Sequence, residues 1–242
     1  MHNNTGLGEK EAKLELLIMG ALPKAVPVAF IDVDTQKDFI MPYGCLSIPG
    51  SECIIDNLAK LNSYASNHCV LWIATMDSHV LEDEEISSEP DFKDTFPPHC
   101  MNGTAGEERI AATLRSTPLI LDVQTEPLEK LWSFLEDCYD SVVFKKNNFD
   151  IFSNKNLDQF LSLSPPHVFV VFGVATDFCV KYAVEGLLHR NFKVIVVKDA
   201  VFAIDQEAEK QLFDQWQNEG VKLLETKEIM DLNPDEFEQL FS

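Results

Sequence analysis

The 242-residue sequence has no run approaching the roughly 18 consecutive apolar residues that a membrane-crossing helix requires, so nothing in it reads as a span. Its N-terminus, MHNNTGLGEKEAKLELLIMGALPKAV, lacks the basic stretch that opens a secretory signal, because acidic residues precede the short apolar segment LLIMGAL. Glycine is scarce, at 10 residues, and no glycine-rich phosphate loop is present. Gly173 alone lies near the strand-to-helix turn where such a loop would sit, which counts against a dinucleotide site. Repeats at solenoid periods are missing too. Positive charge is short: 19 Lys and Arg against 40 Asp and Glu leave a formal charge of −21. Such a charge repels phosphate backbones and anionic lipid, which argues against nucleic-acid and membrane partners. Solubility is its simplest consequence, and a field that disfavours anionic substrates is another. The six cysteines (45, 53, 69, 100, 138 and 179) show no paired spacing, unlike a small disulfide scaffold, and fit a reducing cytoplasm.

What is present is core-forming material. Apolar residues make up 45% of the chain, with 17 Phe, and the length suits one large domain. The runs VPVAFIDV, VLWIATM, SVVFKK, HVFVVFGV and KVIVVKDA are short and rich in β-branched and aromatic residues. Between them, helical spacing recurs. Residues 52–68 place Ile54, Ile55, Leu58 and Leu61 on one face, and 179–190 place Val180, Ala183, Val184 and Leu187 likewise. PLEKLWSFLEDCYD (127–140) opens on Pro and carries a stripe of Leu128, Leu131, Trp132 and Leu135. Residues 207–220 end on a glycine suited to a helix C-cap, and a last strand, VKLLE, follows. This βαβ rhythm predicts an α/β fold, a three-layer α/β/α (Rossmann-like) domain over 25–242 with a mainly parallel sheet of about six strands. Residues 1–24 form an N-terminal extension whose EAKLELLIMGAL has amphipathic spacing, suited to packing on the domain or to a homo-oligomer contact.

Several strands run into residues able to do chemistry: Asp34, Asp77 with His79, Lys146, Cys179 and Asp199. Ligands of open parallel sheets bind beyond the carboxyl ends of the strands, so these groups predict one shared site. Cys179 follows a buried strand at the expected start of a helix, where the dipole favours the reactive thiolate. A lone cysteine in an apolar stretch is ordinarily a packed, inert thiol, and Cys45, Cys53, Cys69, Cys100 and Cys138 read that way. Residues 80–106 break the rhythm, being acidic and holding Pro90, Pro97, Pro98, Gly103 and Gly106. A loop this long is either disordered or part of a site, and its FPPHC favours a site.

The segments DTQKDF (34–39), KNNFDIF (146–152) and GVATDFCV (173–180) resemble the three signature segments of the nicotinamidase and isochorismatase-like cysteine hydrolases. DSH (77–79) and FPPHCMNGTAGEE (96–108) resemble the metal-site segments of the nicotinamidase branch, so that the likeness spans roughly 28–225. It implies Cys179 as nucleophile, Asp34 as the proton-handling carboxylate and Lys146 as the third member of a triad. Strand alternation and the spacing to Phe149 and Phe152 select Lys146 over Lys145. The backbone N–H groups of Ala175 and Cys179 would hold the oxyanion, beside a cis peptide between Val174 and Ala175, with Asp177 shaping the turn. Phe39 and Phe96 would sandwich a ring, with Val174 and Phe178 completing the pocket.

Asp77, His79 and His99 would hold one divalent metal, zinc first and iron or manganese otherwise. The family adds a His or Glu from the loop between, and the usual His is missing. Glu85 has the best spacing, with Glu82, Asp83, Glu84, Glu89 and Asp91 as rivals. The implied reaction is hydrolysis of nicotinamide to nicotinate and ammonia through a Cys thioester, a step of NAD salvage. Two other readings stand beside it. One is a related hydrolase of another small amide, a carbamoyl compound or isochorismate, for which the metal segments are atypical. The other is a non-catalytic binding or scaffold protein that kept the fold and uses the acidic segment 80–92 as a partner surface.

Overall fold

The computed structural model describes residues 26–127, 130–131, 139–163 and 165–242. Among the described residues, seven strands form one sheet: β1 Val28–Val33, β2 Leu71–Asp77, β3 Pro118–Leu121, β4 Ser141–Lys146, β5 Val168–Val174, β6 Lys193–Phe202 and β7 Lys222–Leu224. Every pairing is parallel, in the order β3-β4-β2-β1-β5-β6-β7. Among the described residues, the helices with both ends defined are α1 Lys37–Ile40, α2 Ile55–Asn67, α3 Lys155–Leu163, α4 Lys181–His189, α5 Gln206–Asn218 and α6 Thr226–Met230. β1 and β5 are buried along their whole length, as strands covered on both faces must be.

The strand beyond the expected six is β3, at the sheet edge. Its inward Leu119 and Leu121 alternate with Ile120, which is 50% exposed, so four residues make no continuous apolar run. α2 buries Leu58 and Leu61 as its spacing requires, and α4 buries Ala183, Val184 and Leu187. Asp205 caps α5 by accepting from the N–H groups of Glu207 and Ala208. Of the helix expected over 127–140, Leu131 is helical and buried, whereas Leu128, Trp132, Leu135 and Cys138 lie outside the described residues, as do residues 1–24. Among the described residues, no helix is long and apolar enough to cross a membrane.

The order of strands creates the site. From central β1 the chain proceeds to β2 on one side, and from β5 to β6 on the other, so the connections leaving β1 and β5 diverge and open a crevice between them. The two strands touch tightly there. Gly173 pairs with Val33 at φ +119°, and a Cβ on it would fall 2.0 Å from the Val33 carbonyl oxygen. The long connection after β2 is ordered by short bridges, His79 with Met101 and Ile86 with Phe96. Phe96 N donates to Glu85 O at 2.8 Å and His79 N to Cys100 O at 3.1 Å, which draws Glu85 and His99 over the ends of the strands.

Candidate active site

Asp34 follows β1, Lys146 ends β4 and Cys179 lies in the tight turn Thr176–Val180 between β5 and α4. The structure brings all three together. Lys146 Nζ lies 2.8 Å from Asp34 Oδ2, 2.5 Å from Asp77 Oδ1 and 3.4 Å from Cys179 Sγ, and donates to Asn148 O at 3.0 Å. Parallel pairing sets Asp77 beside Lys146, which explains how β2 and β4 deliver both ends of that contact. Asp34 takes φ +49°, an uncommon conformation tolerated best by Asp, Asn and Gly, and Thr75 Oγ1 donates to its Oδ1 at 2.7 Å. Its Oδ2 faces the Lys146 ammonium at 2.8 Å and the Cys179 thiol, the group whose proton it would take.

Burial decides the protonation of this group. It pushes the Asp34 carboxyl up, with the Asp77 charge adding and Lys146 opposing. It also pushes the Cys179 thiol well above the ordinary cysteine value, against the pull of Lys146. Burial alone would lower the Lys146 pKa, but the Asp34 and Asp77 carboxylates outweigh it and hold the ammonium charged. Desolvation therefore opposes the thiolate that a helix start would favour, and the Lys146 ammonium is the group that pulls Cys179 back toward ionisation. A dipole at a helix end contributes less than full desolvation of sulfur costs.

Asp77, His79, Glu85 and His99 form a second group, all buried, whose ligand atoms lie within 4.8 Å of one another. His79 Nδ1 lies 3.1 Å from Asp83 Oδ2 and His99 Nδ1 lies 2.8 Å from Pro97 O, which turns both Nε2 atoms inward. Neither Nε2 has a hydrogen-bond partner, nor does Glu85 Oε2. Buried polar atoms are nearly always satisfied, so three orphans facing one point are what a cation site would leave. Burial lowers both histidine pKa values, keeping the imidazoles neutral as metal ligation requires. Glu85 is pushed up to about 8 by burial and then by the Asp77 charge. Two imidazoles and two carboxylates fit a divalent ion such as zinc. Of the acidic rivals, Asp83 sits on the far nitrogen of His79, while Glu82, Glu84, Glu89 and Asp91 are exposed.

A cavity next to Cys179 is lined by Phe39, Phe96, Phe178, Val174 and Ala175, with Asp77, Glu85 and His99 on one side. Phe149, from the segment KNNFDIF, lines it too, as do Leu46, Ile48 and Ile204, which carry no signal in the sequence, where they are three apolar residues among many. The Val174–Ala175 peptide is cis. Asp177 holds the backbone N–H groups of Ile204 and Asp205, a structural task.

One expectation of the strand-end reading fails. Asp199 is absent from the site: β6 runs on to Phe202, and the carboxylate accepts from Thr226 N and Oγ1 and from Asn57 Nδ2. Lys145, the neighbour not selected for the triad, pairs its ammonium with Glu107 at 2.7 Å. Sequence reasoning also missed Gln36 and Asp38. Gln36 Nε2 donates to the carbonyls of Asp77 and Glu107, and its Oε1 accepts from Asp77 N at 2.7 Å. Asp38 accepts from Cys45 N at 2.9 Å and from Cys100 N at 2.7 Å, pinning the residue next to His99.

Known proteins resemble this chain over most of its length. The chain is 26% identical over 200 residues to the nicotinamidase/pyrazinamidase of Mycobacterium tuberculosis, covering 81% of this chain and 97% of that protein. It is 25% identical over 195 residues to a probable inactive nicotinamidase of Arabidopsis thaliana, covering 80% and 90%. The pyrazinamidase of Pyrococcus horikoshii, solved in complex with zinc, superposes with a TM-score of 0.65 at 24% identity over 82% of this chain and 99% of that one. The isochorismatase domain model matches residues 28–228, and the chain belongs to the isochorismatase family of hydrolases.

Proposed function

We propose that the protein is a thiol-dependent amidohydrolase that converts nicotinamide to nicotinate and ammonia. The observation that carries it is the contact of Lys146 with both Asp34 and Cys179, beside a buried set of neutral imidazoles and carboxylates at the wall of an apolar cavity. A primary amide is a weak electrophile with a poor leaving group, so it needs a strong nucleophile and a carried proton. Asp34 takes the proton of Cys179 as sulfur attacks the amide carbon, and the carbonyl electrons move to oxygen. The N–H groups of Ala175 and Cys179 receive that oxyanion. Collapse breaks the C–N bond, Asp34 passes its proton to the departing nitrogen, and a thioester remains. Water then gives a proton to Asp34 and its oxygen attacks the thioester, and breaking of the C–S bond returns that proton to sulfur. Lys146 keeps its charge throughout and stabilises each anionic partner in turn.

Asp77, His79, Glu85 and His99 would hold one divalent ion, most readily zinc, supplying a Lewis-acid anchor for a ring nitrogen. Phe39 and Phe96 would flank the ring. The zinc complex of the Pyrococcus relative supports this reading. A rival substrate bearing a carboxylate, such as an N-carbamoyl amino acid, would find no cation among the residues lining the cavity. An idle scaffold has no use for a buried, hydrogen-bonded ammonium between a carboxyl and a thiol, which costs desolvation. Ammonia release from nicotinamide by the purified protein tests the proposal: Cys179→Ala should abolish it, at least about 10³-fold, in a protein that melts as the parent does. Turnover retained in that variant would refute the assignment.

A further inference from the structure

Asp83 lies in the acidic stretch that supplies Glu85, and the reaction above gives it no role. Its neighbours Glu82 and Glu84 are exposed, while Asp83 turns inward. Its Oδ2 lies 3.1 Å from His79 Nδ1 and accepts from Val80 N at 2.9 Å, and its Oδ1 accepts from Asn147 Nδ2 at 3.1 Å. With a carboxylate against Nδ1, the single proton of neutral His79 stays on that nitrogen, and the lone pair is left on Nε2, the atom that faces the ligand cluster. Asn147 directly follows Lys146, so the same carboxylate bridges the loop after β2 to the end of β4.

We propose that Asp83 is a positioning residue of the metal site: it fixes the tautomer and ring orientation of His79 and, braced by Asn147, locks the acidic loop to the strand end that carries Lys146. The inference rests on the metal reading above. His99 receives the same service from the Pro97 carbonyl, a backbone group that no substitution removes. His79 depends on a side chain and is the vulnerable ligand. Partners of this kind typically change metal affinity 10–100-fold.

Zinc affinity of the full chain, measured by competition with a chromophoric chelator, tests it together with the nitrogen-15 spectrum of the zinc-free protein. Asp83→Ala should weaken zinc about 10–100-fold and move the His79 proton toward Nε2. Asp83→Asn should keep most of the affinity, since its carbonyl still accepts from Nδ1–H and its amide pairs with a flipped Asn147. This second variant serves also if the alanine protein folds poorly. Equal zinc affinity in parent and Asp83→Ala, an unchanged tautomer, or equal losses in both variants would overturn the proposal while leaving the metal reading intact. A parent protein that takes up no divalent metal would overturn both.

Discussion

Lys146 is a fully buried cation with carboxylates on two sides and a thiol on a third, and the behaviour of the site follows from that crowding. Glu85 shows the cost most directly. Its pKa is raised from the ordinary glutamate value to about 8, so in the metal-free fold it prefers to be neutral. A raised acid contributes stability that is fully present below its unfolded value and is lost as pH climbs through the folded one. Metal-free protein should therefore lose melting temperature between about pH 4.5 and 8, and Glu85→Gln should flatten that slope. Zinc binds the carboxylate, so its apparent affinity should rise with pH up to about 8 and release a proton, which calorimetry in buffers of different ionisation enthalpy would count. A pH-independent affinity would contradict the placement of Glu85. At this scale Asp34, Lys146, Cys179, Asp77, His79 and His99 were legible because each closes a strand or sits in a segment with family likeness. Gln36, Asp38 and Thr75 were not, and Asp83 was read only as a rival ligand, because a polar residue has the same local pattern whether it clamps a neighbour or faces water.

The element that matters most is the junction of β1 with β5. Val33 and Gly173 pair so closely that only a residue without a Cβ fits, and the next residues along are Asp34 on one strand and the Val174–Ala175 peptide on the other. Gly173→Ala should force these strands apart, at a cost of about 1–3 kcal/mol for overpacking plus the strain of a positive φ. The urea midpoint should fall with unchanged slope, and amide turnover should drop further than stability explains, because Asp34 and Cys179 hang on opposite sides of the distorted contact. A variant with normal turnover would mean that the junction does not set the site. The connection after β2 illustrates the limit of local reading. Its acidic composition and prolines marked it as exceptional, yet the backbone bridges that pair Ile86 with Phe96 and His79 with Met101 join residues with no periodic signal. β3 escaped notice for a related reason: four alternating residues at an edge bury too little to announce themselves.

For the whole molecule, the formal charge of −21 sets a field that repels anions approaching the crevice. An amide carrying an extra carboxylate should show a depressed kcat/KM at about 10 mM salt, recovering about tenfold as the Debye length shrinks from about 30 Å toward 3 Å near 1 M. Nicotinamide, being neutral, should change little over that range, and a parallel rise for both would rule out the field. The α/β class, the parallel strands and the strand-end residues were determined by the sequence itself, since apolar periodicity and turn chemistry act over a few neighbouring residues. Only the tertiary structure decided that Glu85 rather than its acidic neighbours joins His79 and His99, that Asp199 belongs to α6 instead of the site, and that burial works against ionisation of Cys179. Each of those outcomes depends on burial and on charges brought close from distant parts of the chain, and such electrostatics exist only once the sheet has set its strands side by side.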